Sequence, residues 1–168
     1  MVRRRSGGGA VLVHPDDPLW VDVHLPASDP LWEDDVAEAA WWVGETWAAA
    51  LGQLGRPAEV HRGPLERTAW SDRVCFAGRG PGEVSVEGRK VVGLAQRRTR
   101  GGARFQCAAL RRWDPAVLVD LLALSPPERG RARQALADVA RPAGVDPEAL
   151  LEAFVAHLPA LDTNARSP

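Results

Sequence analysis

Gly88-Arg89-Lys90-Val91-Val92-Gly93-Leu94-Ala95-Gln96 decides how the rest of the chain is read. Val84 and Val86 alternate just before it, Glu87-Gly88 makes a two-residue turn, and Arg89 to Ala95 returns as the second strand of a hairpin. Simple alternation puts Lys90, Val92 and Leu94 on one face and Val91, Gly93 and Ala95 on the other. Gly93, with no side chain, admits another backbone or a ligand at close range. Lys90 is the only lysine among 21 basic residues, the other 20 being arginine. An ammonium is a compact point charge with three rotatable donors, and a guanidinium does not replace it where that geometry is needed. Lys90 is therefore the first candidate for chemistry.

Working outward, the segment from Arg73 to Arg112 holds ten basic residues against Glu83 and Glu87, a net of +8 in a chain of net charge −1. That field suits phosphate or an acidic partner protein. The overall charge and the lack of aromatics among the arginines argue against nucleic acid. With 168 residues, 45% hydrophobic and 26% charged, the composition is that of one globular domain. No apolar run approaches a bilayer span, and Met1-Val2 leads into arginines rather than a signal-type core, so the expected location is the cytoplasm, with no membrane partner. Cys75 and Cys107 are expected as free thiols, Cys107 in the core.

Before the hairpin, Ala10 to Val13 and Leu19 to Leu25 read as strands, the second placing Trp20, Asp22 and His24 on one face. Asp29-Pro30 reads as a helix start, and Trp32, Val36, Ala40, Val43, Trp47, Leu51 and Leu54 draw one apolar stripe to Gly55. Ala58 to His61, Val74 to Ala77 and Ala103 to Leu110 read as further strands. After them Asp114-Pro115, Ser125-Pro126-Pro127-Glu128 and Asp146-Pro147 open three helices. Strands and helices out of regular βαβ order predict an α+β fold: a mixed, mostly antiparallel sheet flanked by helices. The expected organisation is a catalytic unit over 1–112, a helical extension over 113–158 packed on it, and a frayed tail over 159–168.

At the start, Arg3-Arg4-Arg5-Ser6-Gly7-Gly8-Gly9-Ala10-Val11 joins glycine backbone donors to forked guanidinium donors, a pairing suited to anions. Together with Gly88 to Arg98 it resembles the biotin/lipoate protein ligase superfamily, whose lipoate–protein ligases carry an RRxSGGGAV loop and a GxKxxGxAQ strand. The resemblance implies a fold shared with biotin protein ligases and the catalytic domains of class II aminoacyl-tRNA synthetases. It also implies a lipoate–protein ligase reaction: lipoate or octanoate, ATP and Mg2+ give an acyl-adenylate, which a lysine of a lipoyl-acceptor protein attacks. That acceptor would be a 2-oxoacid dehydrogenase subunit or a glycine cleavage H-type protein. On this reading Arg4, Arg5, Ser6, Gly7, Gly8, Gly9 and Ala10 line the acyl-adenylate, with Gly93 and Ala95 beside it, and Lys90 holds the carboxyl and phosphate oxygens; no metal ligands are assigned.

Where the ligases usually carry HDxGNxxxS, this chain has Val13-His14-Pro15-Asp16-Asp17-Pro18-Leu19-Trp20-Val21-Asp22, without the Asn and Ser that bear on nucleotide and metal handling. Cys75-Phe76 followed by Gly82-Glu83-Val84 instead resembles the octanoyltransferase branch. There a cysteine takes octanoate from acyl carrier protein as a thioester and passes it on with no ATP and no cofactor. A nearby ammonium favours the thiolate form that such a step uses. Because the family's usual segment before the arginine loop is missing, a truncated, non-catalytic member is the third reading.

Overall fold

The computed structural model describes residues 8–159. Five strands, β1 (Leu19–Pro26), β2 (Glu59–Val60), β3 (Val84–Val86), β4 (Arg89–Thr99) and β5 (Gly102–Ala109), form one sheet in the order β1-β5-β4-β3-β2, every neighbour antiparallel. Parallel contacts are confined to isolated bridges, Ala10 with Val74 and Lys90 with Ala140. Helices α1 (Trp41–Gln53), α2 (Pro115–Leu121), α3 (Pro126–Leu136) and α4 (Pro147–Ala156) complete an α+β architecture, as expected.

One sheet face is the floor of the main core. Val92, Phe105, Cys107 and Leu25 meet Val43, Trp47 and Leu51 of α1 and Leu150 and Phe154 of α4. Trp47 and Phe154 stack with centroids 4.2 Å apart. The polar alternation of β1 sends Trp20, Asp22 and His24 to the opposite, open face, where all three are exposed. On that side α2 and α3 build a second cluster with Val74 and Ala77.

The hairpin is present, with Glu87 at φ 51° and Gly88 at φ 74°. Both central residues have positive φ, as a type I′ hairpin turn demands. The three late helices begin at their predicted proline starts. Asp114 accepts from the N–H of Ala116, and Asp146 accepts from those of Glu148 and Ala149. Ser125 and Glu128 close a capping box. α2 stops at Leu121.

Three expectations are corrected. The helix expected from Asp29 begins at Trp41, preceded by a single 3-10 turn over Glu38–Ala40. Asp29 spends its carboxylate on the N–H of Leu31, and Asp35 takes those of Ala37 and Glu38, so local side-chain turns replace the first helical turns. Val36, predicted in the apolar stripe, is 59% exposed. Ala10 to Val13 does not form a strand: Ala10 alone bridges Val74, and Val13 is exposed. Val74 to Ala77 is not a strand either, because the chain turns into a 3-10 helix over Cys75–Ala77.

A fourth correction bears on the site. Between β3 and β4 the register runs Ser85 with Lys90, then Val84 with Val92, so Val91 is an extra residue. Such a bulge shifts the alternation by one. Gly93 thus joins the Lys90 face: a Cβ built on Gly93 would lie 3.0 Å from Phe76 Cζ and 3.5 Å from Lys90 Cε.

Candidate active site

Lys90 and Glu83 are the charged pair of the interior, 2% and 4% exposed. Lys90 Nζ lies 2.6 Å from Glu83 Oε2 and donates to the carbonyls of Cys75 at 3.2 Å and Gly78 at 3.0 Å. Its three donors therefore have three acceptors, and the Phe76 ring adds a cation–π contact at 4.8 Å. Glu83 is equally committed. Oε2 also accepts from Gly80 N–H at 2.7 Å, and Oε1 accepts from Leu94 N–H at 3.1 Å. The ammonium thus pins both ends of the Cys75–Gly78 turn to β4.

The glycine loop meets that turn from the other side. Ala10 N–H donates to Arg73 C=O at 2.8 Å, and Cys75 N–H donates to Ala10 C=O at 3.0 Å. A Cβ on Gly9 would fall 2.4 Å from Val74 N, so the close approach needs a glycine there. The backbone of β4 is clamped as well: Lys90 N–H donates to Val139 C=O, and Arg141 N–H donates to Lys90 C=O. Gly8, Gly9, Ala10, Cys75, Lys90, Gly93 and Ala95 are thereby brought into one neighbourhood. Arg4, Arg5, Ser6 and Gly7 lie outside the described residues.

A cavity of about 620 Å³ opens in front of the turn. Cys75 is on its wall, with Gly8 and Gly9 at one side and Leu65, Pro81 and Leu94 supplying apolar surface. Cys75 is half-buried and free. Cys107 is free but fully buried, and burial pushes its thiol up to about 12, which leaves it inert in the core. Ala95 and Gln96 also line the cavity. The amide N and O of Gln96 are both buried and without a protein partner among the described residues.

Glu83 is the functional side chain that the motif reading passed over. The signal was present: it is one of only two acids in the +8 segment, and a lone buried lysine needs a counter-charge. What sequence could not show is that Lys90 stands behind Cys75 rather than open to the cavity. The cavity's two carboxylates give poor support for a metal–nucleotide pair. Glu83 has both oxygens taken, and Asp72 pairs with Arg67 at 2.6 Å. Among the described residues no three His, Cys, Asp or Glu side chains gather as a metal site, and no helix is long and apolar enough to cross a membrane.

Comparison with known proteins places the chain in a family. Residues 1–147 match the model of the lipoyl protein ligase A/B catalytic domain. Similar curated proteins are the octanoyltransferase LipM of Exiguobacterium sp., 32% identical over 79% of this chain and 49% of the relative, and that of Kyrpidia tusciae, 35% identical over 79% and 48%. The chain spans about half the length of these relatives. Among solved structures, a bipartite lipoate protein ligase of Thermoplasma acidophilum superposes with TM-score 0.59 at 16% identity, covering 82% of this chain and 48% of that one. Lipoate-protein ligase A bound with ATP gives TM-score 0.51 at 19% identity, covering 82% and 48%. At these identities the solved structures speak for the fold alone.

Proposed function

Because this chain belongs to the lipoyl protein ligase A/B catalytic-domain family, we propose that it moves an octanoyl or lipoyl group onto a lysine of an acceptor protein by way of a Cys75 thioester. The curated relatives named octanoyltransferase favour this route over the acyl-adenylate ligase that stands first on motif resemblance. The observation that carries it is the position of Cys75: a free, half-buried thiol on a cavity wall, in a turn held by the only lysine and by the glycine loop.

The steps balance without a further reactant. The Cys75 thiolate attacks the carbonyl of an octanoyl thioester, the C–S bond to the donor breaks, and the donor thiol leaves with the proton. The amine of the acceptor lysine then attacks the Cys75 thioester. An amide forms, and the Cys75 thiol is released with the amine's proton. Lys90 acts as a positioning residue: it holds the carbonyls of Cys75 and Gly78 and so fixes the turn that presents the thiol. Leu65, Pro81 and Leu94 offer apolar surface to the acyl chain. Among the described residues the two carboxylates of the cavity wall, Glu83 and Asp72, already have partners and are not free to hold the ATP and magnesium that the ligase reading needs.

The acceptor on this reading is a lipoyl-acceptor domain of a 2-oxoacid dehydrogenase subunit or an H-type protein, and the donor is an acyl carrier protein. Incubating the chain with octanoyl carrier protein, without ATP, tests the proposal. One octanoyl group on the Cys75 peptide supports it, and an unmodified Cys75 peptide defeats it.

A further inference from the structure

Resting on that transfer reading, we propose that Gly80 sets which acyl chains the cavity takes: the side chain it lacks leaves open, beside Leu65, the passage that a straight chain of octanoyl length follows from Cys75. Among the described residues four glycines line the cavity, Gly8, Gly9, Gly78 and Gly80. The fold itself requires three of them. Gly8 has φ 81°, a left-handed backbone that side chains rarely adopt. A Cβ on Gly9 would meet Val74 N at 2.4 Å, and one on Gly78 would meet the Glu66 carbonyl oxygen at 2.8 Å.

Gly80 differs from all three. Its backbone lies outside the left-handed region. A Cβ there would find Leu65 Cδ1 at 3.7 Å and Glu83 Oε2 at 3.8 Å, ordinary contact distances. Neither conformation nor packing within the fold excludes a side chain, so the glycine serves the open space in front of it, where a ligand can approach the backbone.

Apolar surface surrounds that space. Val36, Ala37, Ala40, Leu65, Pro81 and Leu94 are on the cavity lining, and Val36 and Leu65 are large apolar residues left exposed by the fold. One exposed apolar residue is ordinary, whereas two on the lining of one cavity, with smaller apolar groups between them and the core, suit an apolar ligand. The volume of about 620 Å³ falls within the range of about 300–1,000 Å³ usual for small-molecule sites.

The position of Gly80 relative to the thiol is fixed by the buried pair. Gly80 N–H donates to Glu83 Oε2 at 2.7 Å, the same oxygen lies 2.6 Å from Lys90 Nζ, and Lys90 Nζ donates to the Cys75 carbonyl at 3.2 Å. One carboxylate and one ammonium thus separate the Gly80 backbone from that of Cys75. A side chain at position 80 stands off the thiol itself, so it obstructs the body of a long acyl chain more than it obstructs a short acyl group.

The test uses the full chain, butanoyl and octanoyl carrier protein as donors, and the variants Gly80→Ala, Gly80→Val and Gly80→Val/Leu65→Ala. The quantity read is the ratio of Cys75 acylation rates, octanoyl over butanoyl. A methylene added to or removed from an apolar pocket changes a rate about tenfold or more, so Gly80→Val is expected to lower the ratio at least about tenfold, with Gly80→Ala between it and wild type. The double variant should recover most of the loss, because Leu65 is the side chain nearest the added Cβ. Thermal unfolding identifies the variants that fold, and the Gly80→Ala ratio decides the matter alone if Gly80→Val does not. A ratio equal to that of wild type in the folded variants, a uniform loss with both donors included, would overturn the role of Gly80 and leave the transfer reading intact. No acylation of wild-type Cys75 by either donor would remove the transfer reading, and this inference with it.

Discussion

Replacing Glu83 by Gln is the sharpest perturbation of the buried pair. The substitution keeps size and most hydrogen-bonding capacity but removes the charge facing Lys90 Nζ at 2.6 Å, in a place where the lysine is 2% exposed. Water cannot replace the lost partner. Removing one member of a buried pair typically costs about 3–5 kcal/mol, because an uncompensated charge is left behind. Against a total stability of about 5–15 kcal/mol, that is a large fraction. Lys90→Met should cost a comparable amount by stranding Glu83, which keeps only the N–H groups of Gly80 and Leu94. The double variant Glu83→Gln/Lys90→Met strands neither charge, so it should be more stable than the sum of the singles implies, by about 1–3 kcal/mol. Urea unfolding followed by fluorescence of the seven tryptophans measures all four corners of the cycle. The double variant should fold and still acylate Cys75 slowly, because nothing then ties the carbonyls of Cys75 and Gly78 to β4. A Glu83→Gln loss below about 1 kcal/mol, or strict additivity, would refute the claim that this pair holds the site together.

Gly93→Val should cost about 1–3 kcal/mol by overpacking against Phe76 and Lys90, with a larger proportional loss of acylation rate than of stability; thermal unfolding and a single-turnover acylation assay separate the two. Asp146→Ala should lower stability by about 1 kcal/mol through the lost N-cap of α4 and leave Cys75 acylation unchanged, since α4 lies beneath the opposite sheet face. Cys107 remains protonated in the fold up to about pH 12 but ionises near its ordinary 9.0 when unfolded. Its contribution is therefore complete below pH 9 and is lost as pH rises toward 12. The stability difference between wild type and Cys107→Ala should narrow over that window, and a pH-independent difference would contradict it. Glu128 is held down to about 2 by hydrogen bonds from the Ser125 hydroxyl and N–H, with Arg73 adding to them. This stabilisation is present above its ordinary 4.5 and is lost as pH falls toward 2, so Ser125→Ala should flatten the acid limb of the unfolding curve.

The hairpin, the capped late helices and the α+β class were legible because each rests on local chemistry: a glycine where φ is positive, a proline after an N-cap, a period-two alternation. The Asp29 start failed because an aspartate ahead of proline serves a side-chain turn as readily as a helix, and Asp35 repeats the same competition. The face of Gly93 was misread because a bulge at Val91 leaves no mark in the hydrophobic pattern; Val91 and Val92 are both fully buried. At the site, Lys90, Cys75 and the glycines were found as residue types with a chemistry. Their arrangement was not, because it depends on backbone carbonyls, which every residue carries, and on Glu83, one of two acids in a basic segment with nothing local to mark it as the partner of Lys90.

The most direct measurement of the central claim is the fate of Cys75. Wild type, Cys75→Ser and Cys107→Ala are incubated with octanoyl carrier protein without nucleotide, digested and analysed by mass. Octanoylation of the Cys75 peptide in wild type and Cys107→Ala, cleared on adding an apo acceptor protein whose lysine then carries the group, is the predicted result. An unmodified Cys75 peptide, together with acyl transfer that requires ATP and survives in Cys75→Ser, would contradict the account.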